Sequence, residues 1–94
     1  MVTKLSSVQK KALRKKGYSL KPVVMIGQHG LTDAVLAEVD IALNAHELIK
    51  IRIRGADKNK RIEQCAQIEN QLNAKMVHQI GGITVLYRPA PVPS

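Results

Sequence analysis

The stretch Val23-Val24-Met25-Ile26-Gly27-Gln28-His29-Gly30-Leu31-Thr32 decides how this 94-residue chain folds. Its first four residues form a short continuous apolar run of the kind that marks a buried strand, and Pro22 suits strand entry because it has no N–H for a ladder. The run stops at two glycines three residues apart. Thr32 then caps a helix with Asp33 in its first turn, and Leu31 with Leu36 occupies the two positions of a hydrophobic staple. Val35, Val39, Ala42 and Leu43 continue at core spacing to about Ala45. A strand running into a helix leaves the first helical N–H groups aimed at the loop between them, where the helix dipole favours an anion. Gly27 and Gly30 would let an anionic backbone approach without Cβ atoms in the way. The same spacing also serves a plain tight turn that needs glycine only for its dihedrals.

Upstream, Ser6-Ser7-Val8-Gln9 has the form of a capping box and Gly17 that of a left-handed stop, which predicts a helix over 7–16. At 100° per residue, Lys10, Lys11, Arg14 and Lys15 share one arc of this helix, and Leu5, Val8, Ala12 and Leu13 share a core stripe on the other. Downstream, the period changes from 3.6 to 2 at Leu48. Ile49, Ile51 and Ile53 point one way and Lys50, Arg52 and Arg54 the other, the clearest strand in the chain. Gly55-Ala56-Asp57 breaks it, and Ile62, Cys65, Ala66, Ile68 and Leu72 describe a third amphipathic helix over about 58–73. Lys75–Ile80 and Ile83–Arg88 read as strands joined by Gly81-Gly82, a two-residue hairpin signal.

The expected fold is therefore α/β, an α+β arrangement of two layers in the order αβαβαββ. Strands alternating with helices argue for parallel pairing, and the final hairpin adds an antiparallel strand, giving a mixed four-stranded sheet. Residues 1–88 are expected to form one domain and the proline-rich residues 89–94 a flexible tail. A unit of this size buries roughly 60–70% of its chain surface and can fold without staples. Cys65, the only cysteine, can form no intramolecular disulfide. No apolar stretch approaches the about 20 residues of a membrane span. Met1-Val-Thr-Lys-Leu-Ser-Ser also lacks the apolar run of a secretion signal, so a cytoplasmic location is expected.

Fifteen Lys and Arg against seven Asp and Glu give a formal net charge of +8, and the bases are blocked rather than scattered. Residues 1–30 carry +7 with no acid, residues 31–49 carry −4 with no base, and residues 50–61 carry +5. Such segregation points to an anionic partner on a positive side of the fold. The glycine loop has no Gly-Lys-Ser/Thr and no third glycine, which argues against a P-loop or a dinucleotide fingerprint. A polymeric phosphate backbone fits it better.

Four features together resemble the CRM domain. They are the loop run Val24–Thr32, the basic helix before it, the strand Leu48-Ile49-Lys50-Ile51-Arg52-Ile53, and the ending Gln79-Ile80-Gly81-Gly82-Ile83-Thr84-Val85-Leu86-Tyr87-Arg88. The resemblance spans about residues 4–88 and holds the motifs in the right order. It implies a mixed four-stranded sheet with helices, similar to the C-terminal domain of bacterial translation initiation factor three. It also implies an RNA-binding module of the kind found in chloroplast splicing factors and in a standalone bacterial form linked to ribosome assembly. By resemblance, the partner is ribosomal RNA in precursors of the large (50S) subunit. The implied contacts are Gly27, Gln28, His29 and Gly30 of the loop, with Lys10, Lys11, Arg14, Lys15, Lys21, Lys50, Arg52 and Arg54 as nearby basic surface. One departure stands out: the second loop position, often basic in this family, is Gln28, which leaves phosphate contact to backbone N–H groups.

The remaining chemistry is sparse. His29, His46 and His78 are scattered singly and have no metal-ligand spacing with Cys65, which reads as a small core residue. Tyr18 and Tyr87 are the only aromatics, too few for a base-stacking sheet, and Tyr87 reads as core or hairpin packing. Lys50, Arg52 and Arg54 form either a positive stripe on an open sheet face or a charged guard on an edge strand. No constellation of acid, base and nucleophile can be named, so no enzyme, cofactor or small-molecule substrate is expected. The competing function is a module whose basic face docks on an acidic protein.

Overall fold

The computed structural model describes residues 6–89. Its elements are α1 (Ser7–Gly17), β1 (Pro22–Ile26), α2 (Asp33–His46), β2 (Leu48–Ile53), α3 (Lys58–Leu72), β3 (Lys75–Ile80) and β4 (Ile83–Tyr87). The strands form one mixed sheet in the order β1-β2-β4-β3. β1 runs parallel to β2, with Ile26 opposite Ile53, while β2–β4 and β3–β4 are antiparallel. The expected order and mixed sheet are both present.

Local chemistry starts each helix. Gln9 N–H donates to Ser6 Oγ at 3.1 Å and Ser6 N–H to Gln9 Oε1 at 3.0 Å, a reciprocal capping box at the head of α1. Thr32 Oγ1 accepts from Val35 N–H and Asp57 Oδ1 from Lys60 N–H, capping α2 and α3. The core lies between one face of the sheet and these last two helices. Val24, Ile26, Ile49, Ile51, Ile53 and Leu86 pack there against Val39 and Leu43 of α2 and Cys65 and Ile68 of α3. Full burial of such an aliphatic side chain contributes about 1.5–3 kcal/mol.

Four details differ from the pattern expected of the sequence. The apolar run in β1 is buried on one face only, because α2 covers that face while α1, on the other, packs chiefly over β2, β3 and β4: Val24 and Ile26 enter the core while Val23 and Met25 stay exposed. In α1, Val8 is 79% exposed and Ala12 is exposed too, leaving Leu13 half-buried; Leu5 lies outside the described residues. The stripe is present in the helix, but only the C-terminal end of α1 meets the sheet. Gly17 is not a left-handed stop, since the cap Tyr18 is right-handed (φ −61°) and Gly17 is absent from the positive-φ glycines. Gly17 is glycine because it is buried on Val85, on the sheet face opposite the core: a Cβ there would lie 3.0 and 3.1 Å from the two Val85 methyls. In α3, Ile62 is 50% exposed and Ala66 is exposed, whereas Gln64 turns inward at 6%. Residues 90–94 of the expected tail lie outside the described residues.

Candidate functional site

Three loops meet at one end of the sheet. Because β1 and β2 are parallel, the connection 27–32 and the connection 54–57 leave from the same end. β4, antiparallel to β2, starts there from the 81–82 turn. Backbone hydrogen bonds lock the three together: Arg54 N–H donates to Ile26 O at 2.8 Å, and Ile53 N–H donates to Gly82 O at 2.6 Å. A Cβ on Gly82 would lie 2.5 Å from Ile53 O, so only glycine lets the hairpin cross the end of β2 this closely. A Cβ on Gly55 would lie 3.3 Å from Gln28 Cγ, placing the second loop directly against the first.

The two loop glycines have different roles. Gly30 sits at φ +73°, a region that side chains disfavour, and its N–H closes the turn on Gly27 O at 3.0 Å. Gly27 has no positive φ, and a Cβ there would meet nothing within 4 Å. Gln28 and His29 between them are exposed. Behind Gly30 stands the buried Gln64, whose Nε2 lies 3.3 Å from where a Gly30 Cβ would be. Gln64 Oε1 is buried with no hydrogen-bond partner among the described residues. Since Thr32 takes the amide of Val35, the amides of Asp33 and Ala34 at the head of α2 remain without an intrahelical acceptor.

α3 begins beside this loop, and its first turn holds Lys58 and Lys60 with no acid beyond the cap Asp57. Cations at a helix N-terminus oppose the dipole by about 0.3–1 kcal/mol each. A helix built only for stability would carry Asp or Glu there. These two lysines were not among the residues the sequence singled out, although bases in the first turn after a capping aspartate were the available signal. Arg61 folds back, its Nη1 donating to Ala56 O at 2.9 Å, and holds the 54–57 connection in place.

The residues singled out from the sequence fall into groups rather than one patch. Gly27, Gln28, His29 and Gly30 share the loop end with Arg54, and Arg52 is paired in register with Met25 just below. Lys50 is four residues from Arg54, about 13 Å along the strand, and is half-buried opposite Pro22 and Val85. It shares a groove with Lys21 at the other end of β1. Lys10, Lys11 and Lys15 are exposed on α1, and Arg14 is half-buried. Arg52 and Arg54 are exposed, so the alternating bases stay open to solvent at the loop end and become covered toward Lys50.

Other polar groups serve the interior. Cys65 Sγ lies 3.6 Å from Thr84 Oγ1, and Gln79 Nε2 donates to both at 3.4 and 3.3 Å. Burial pushes the Cys65 thiol above its ordinary range. The ring of His78 meets Tyr18 edge-on, with centroids 6.1 Å apart. Among the described residues, no three His, Cys, Asp or Glu side chains group to hold a metal ion. No helix among them is long and apolar enough to cross a membrane.

The family model described as the CRS1 / YhbY (CRM) domain matches residues 5–88. The chain belongs to that family. A Haemophilus influenzae protein named an RNA-binding protein is 46% identical over 89 residues, covering 95% of this chain and 90% of its own. A Pseudomonas aeruginosa protein named a probable RNA-binding protein is 38% identical over 90 residues, covering 96% of this chain and 86% of its own. The solution structure of a hypothetical Staphylococcus aureus protein matches with a TM-score of 0.83 at 24% identity, covering 97% of this chain and 95% of that one. That likeness shows that the two chains share one fold. The glycine loop of this CRM domain stands where two parallel strands end and two helices begin.

Proposed function

We propose that this CRM domain is a non-catalytic, cytoplasmic RNA-binding protein that contacts ribosomal RNA in precursors of the large (50S) ribosomal subunit. The observation that carries the reading is the end of the sheet where the Gly27–Gly30 loop, the heads of α2 and α3, and Arg54, Lys58 and Lys60 converge. A phosphate there meets backbone amides through the glycine loop and ammonium or guanidinium groups from the second connection. These contacts position an RNA backbone without reading its sequence. The names of the Haemophilus and Pseudomonas relatives support RNA as the ligand class. The ribosomal precursor rests on the family resemblance, and a net charge of +8 accords with a ligand of high phosphate density.

Gradient sedimentation of a cell lysate, probed for this protein with and without nuclease, tests the reading. Comigration with large-subunit precursors at moderate salt is expected, with release at high salt and after nuclease. Equal distribution over both subunits and free RNA would indicate nonspecific basic adhesion. Association that survives nuclease would favour an acidic protein partner instead.

A further inference from the structure

At the end of the sheet away from the glycine loop, a groove of about 630 Å³ opens between the C-terminal half of α1, the α1–β1 connection and the start of β2. Its size lies within the roughly 300–1,000 Å³ of small-ligand sites. Leu13, Leu20, Val23 and Leu48 supply apolar wall, and Tyr87 and His46 supply rings. Lys16, Lys21 and Lys50 also line the groove, with Glu47 as the single acid among the lining residues. Glu47 also holds φ 62° and ψ −47°, a conformation rare for a residue with a side chain. Its amide donates to Leu43 O at 2.9 Å and its carbonyl accepts from Arg88 N–H at 2.8 Å, so the backbone is pinned in that shape where it lines the groove.

We infer that this groove receives one unstacked base of a single-stranded RNA segment, a site separate from the glycine loop. The inference rests on the RNA-binding reading and adds the nucleotide to the phosphate backbone. An apolar wall with a tyrosine ring takes the face of a base, as single-stranded RNA modules do with splayed nucleotides. Three lysines around it match the phosphates on either side of that base. A carboxylate among the lining residues accepts from a base N–H, whereas it repels the side chains of an acidic peptide. Charge and aromatic content therefore select a nucleotide over an acidic protein segment.

The test compares two labelled octamers by fluorescence anisotropy: a mixed-sequence single-stranded RNA, and the same strand with its four central bases removed. The native protein is expected to bind the intact strand about tenfold more tightly, the order of one stacked base. Ser19→Trp, a substitution at an exposed lining residue, is expected to fill the groove and bind both strands as the native protein binds the abasic one. Equal binding of the two strands by native protein, or discrimination that survives Ser19→Trp, overturns the inference and leaves RNA binding standing. Binding of neither strand overturns both. If Ser19→Trp does not fold, photocrosslinking of a 4-thiouridine octamer to native protein replaces it. Adducts on Lys21, His46 or Tyr87 support the groove, and adducts confined to 27–30 overturn it. A glutamate-rich octapeptide that displaces the RNA only from the groove also overturns it, in favour of a protein ligand.

Discussion

Arg88 Nη1 lies 2.7 Å from Asp40 Oδ1 and joins the chain just beyond β4 to the middle of α2. The same guanidinium donates to Leu72 O at 2.8 Å, to Asp40 O at 3.1 Å and to Asn44 Oδ1 at 2.8 Å. One side chain thereby ties the end of the sheet to α2 and to the last turn of α3, the two helices whose heads frame the glycine loop. The fork geometry is what reaches four acceptors, and a lysine ammonium cannot reproduce it. Arg88→Lys is expected to lower stability by about 1–3 kcal/mol, read as a drop in the urea midpoint, with RNA affinity of the folded fraction unchanged. An affinity loss larger than the unfolded fraction accounts for would place Arg88 in the interface instead.

Gly27 and Gly30 separate the loop as a binding surface from the loop as a turn. Gly27→Asp puts a carboxylate where phosphate would approach, at a position with no positive φ and open space around it. Folding should be nearly unchanged while RNA affinity falls at least tenfold. Gly30→Ala must hold a Cβ at φ +73° beside Gln64 and is expected to cost about 1–3 kcal/mol of stability. Thermal unfolding and RNA titration on both variants check this, and an unchanged affinity in Gly27→Asp reduces the loop to a turn.

Lys58→Glu should move stability and binding in opposite directions. It replaces a cation that opposes the α3 dipole with an anion that complements it, a gain of about 0.3–1 kcal/mol. RNA affinity should fall in the same variant if the proposed interface holds, because a charge placed there to meet phosphate is reversed. The result is read from melting temperature and from the salt dependence of binding, whose log–log slope should shrink by about 0.7–0.9 for each phosphate that is no longer neutralised. Charge reversal at Lys11 together with Lys15 should weaken all RNA ligands alike and leave the melting temperature within error.

The Cys65 thiol lies above its ordinary range in the folded protein because burial disfavours the thiolate. Below the unfolded thiol's pKa both states are protonated and the stability is complete. Above it, only the unfolded state releases the proton, so this contribution declines until pH passes the raised folded value. Cys65→Ala should therefore show a shallower alkaline loss of stability than the native chain. Modification of Cys65 by a disulfide reagent should proceed at the rate of unfolding, and rapid labelling of the folded protein would contradict its burial.

Most local structure follows from residues close together in sequence. The alternation Ile49, Ile51, Ile53 against Lys50, Arg52, Arg54 can bury one face only as a strand, and the core indeed takes all three isoleucines. Ser6, Thr32 and Asp57 stand where a helix leaves amides unpaired, and each caps one. Caps and hydrophobic periods act over three or four residues, so the sequence by itself determined the element order, the glycine loop between strand and helix, and the family.

What tertiary structure alone decided are relations between distant segments. A period identifies the apolar face of a helix but not whether a partner covers it, which is why Val8 and Ile62 remain exposed and Gln64 does not. Gly17 and Gly30 look alike in sequence, yet one is required by the close approach of Val85 and the other by its own φ. The strand order β1-β2-β4-β3 brings residues 27–32, 54–57 and 81–82 to one end, and it parts Lys50, in the groove beside Lys21, from Arg54 at the loop end. Chain pairing over tens of residues depends on how whole faces fit, and no short-range pattern in the sequence encodes that fit.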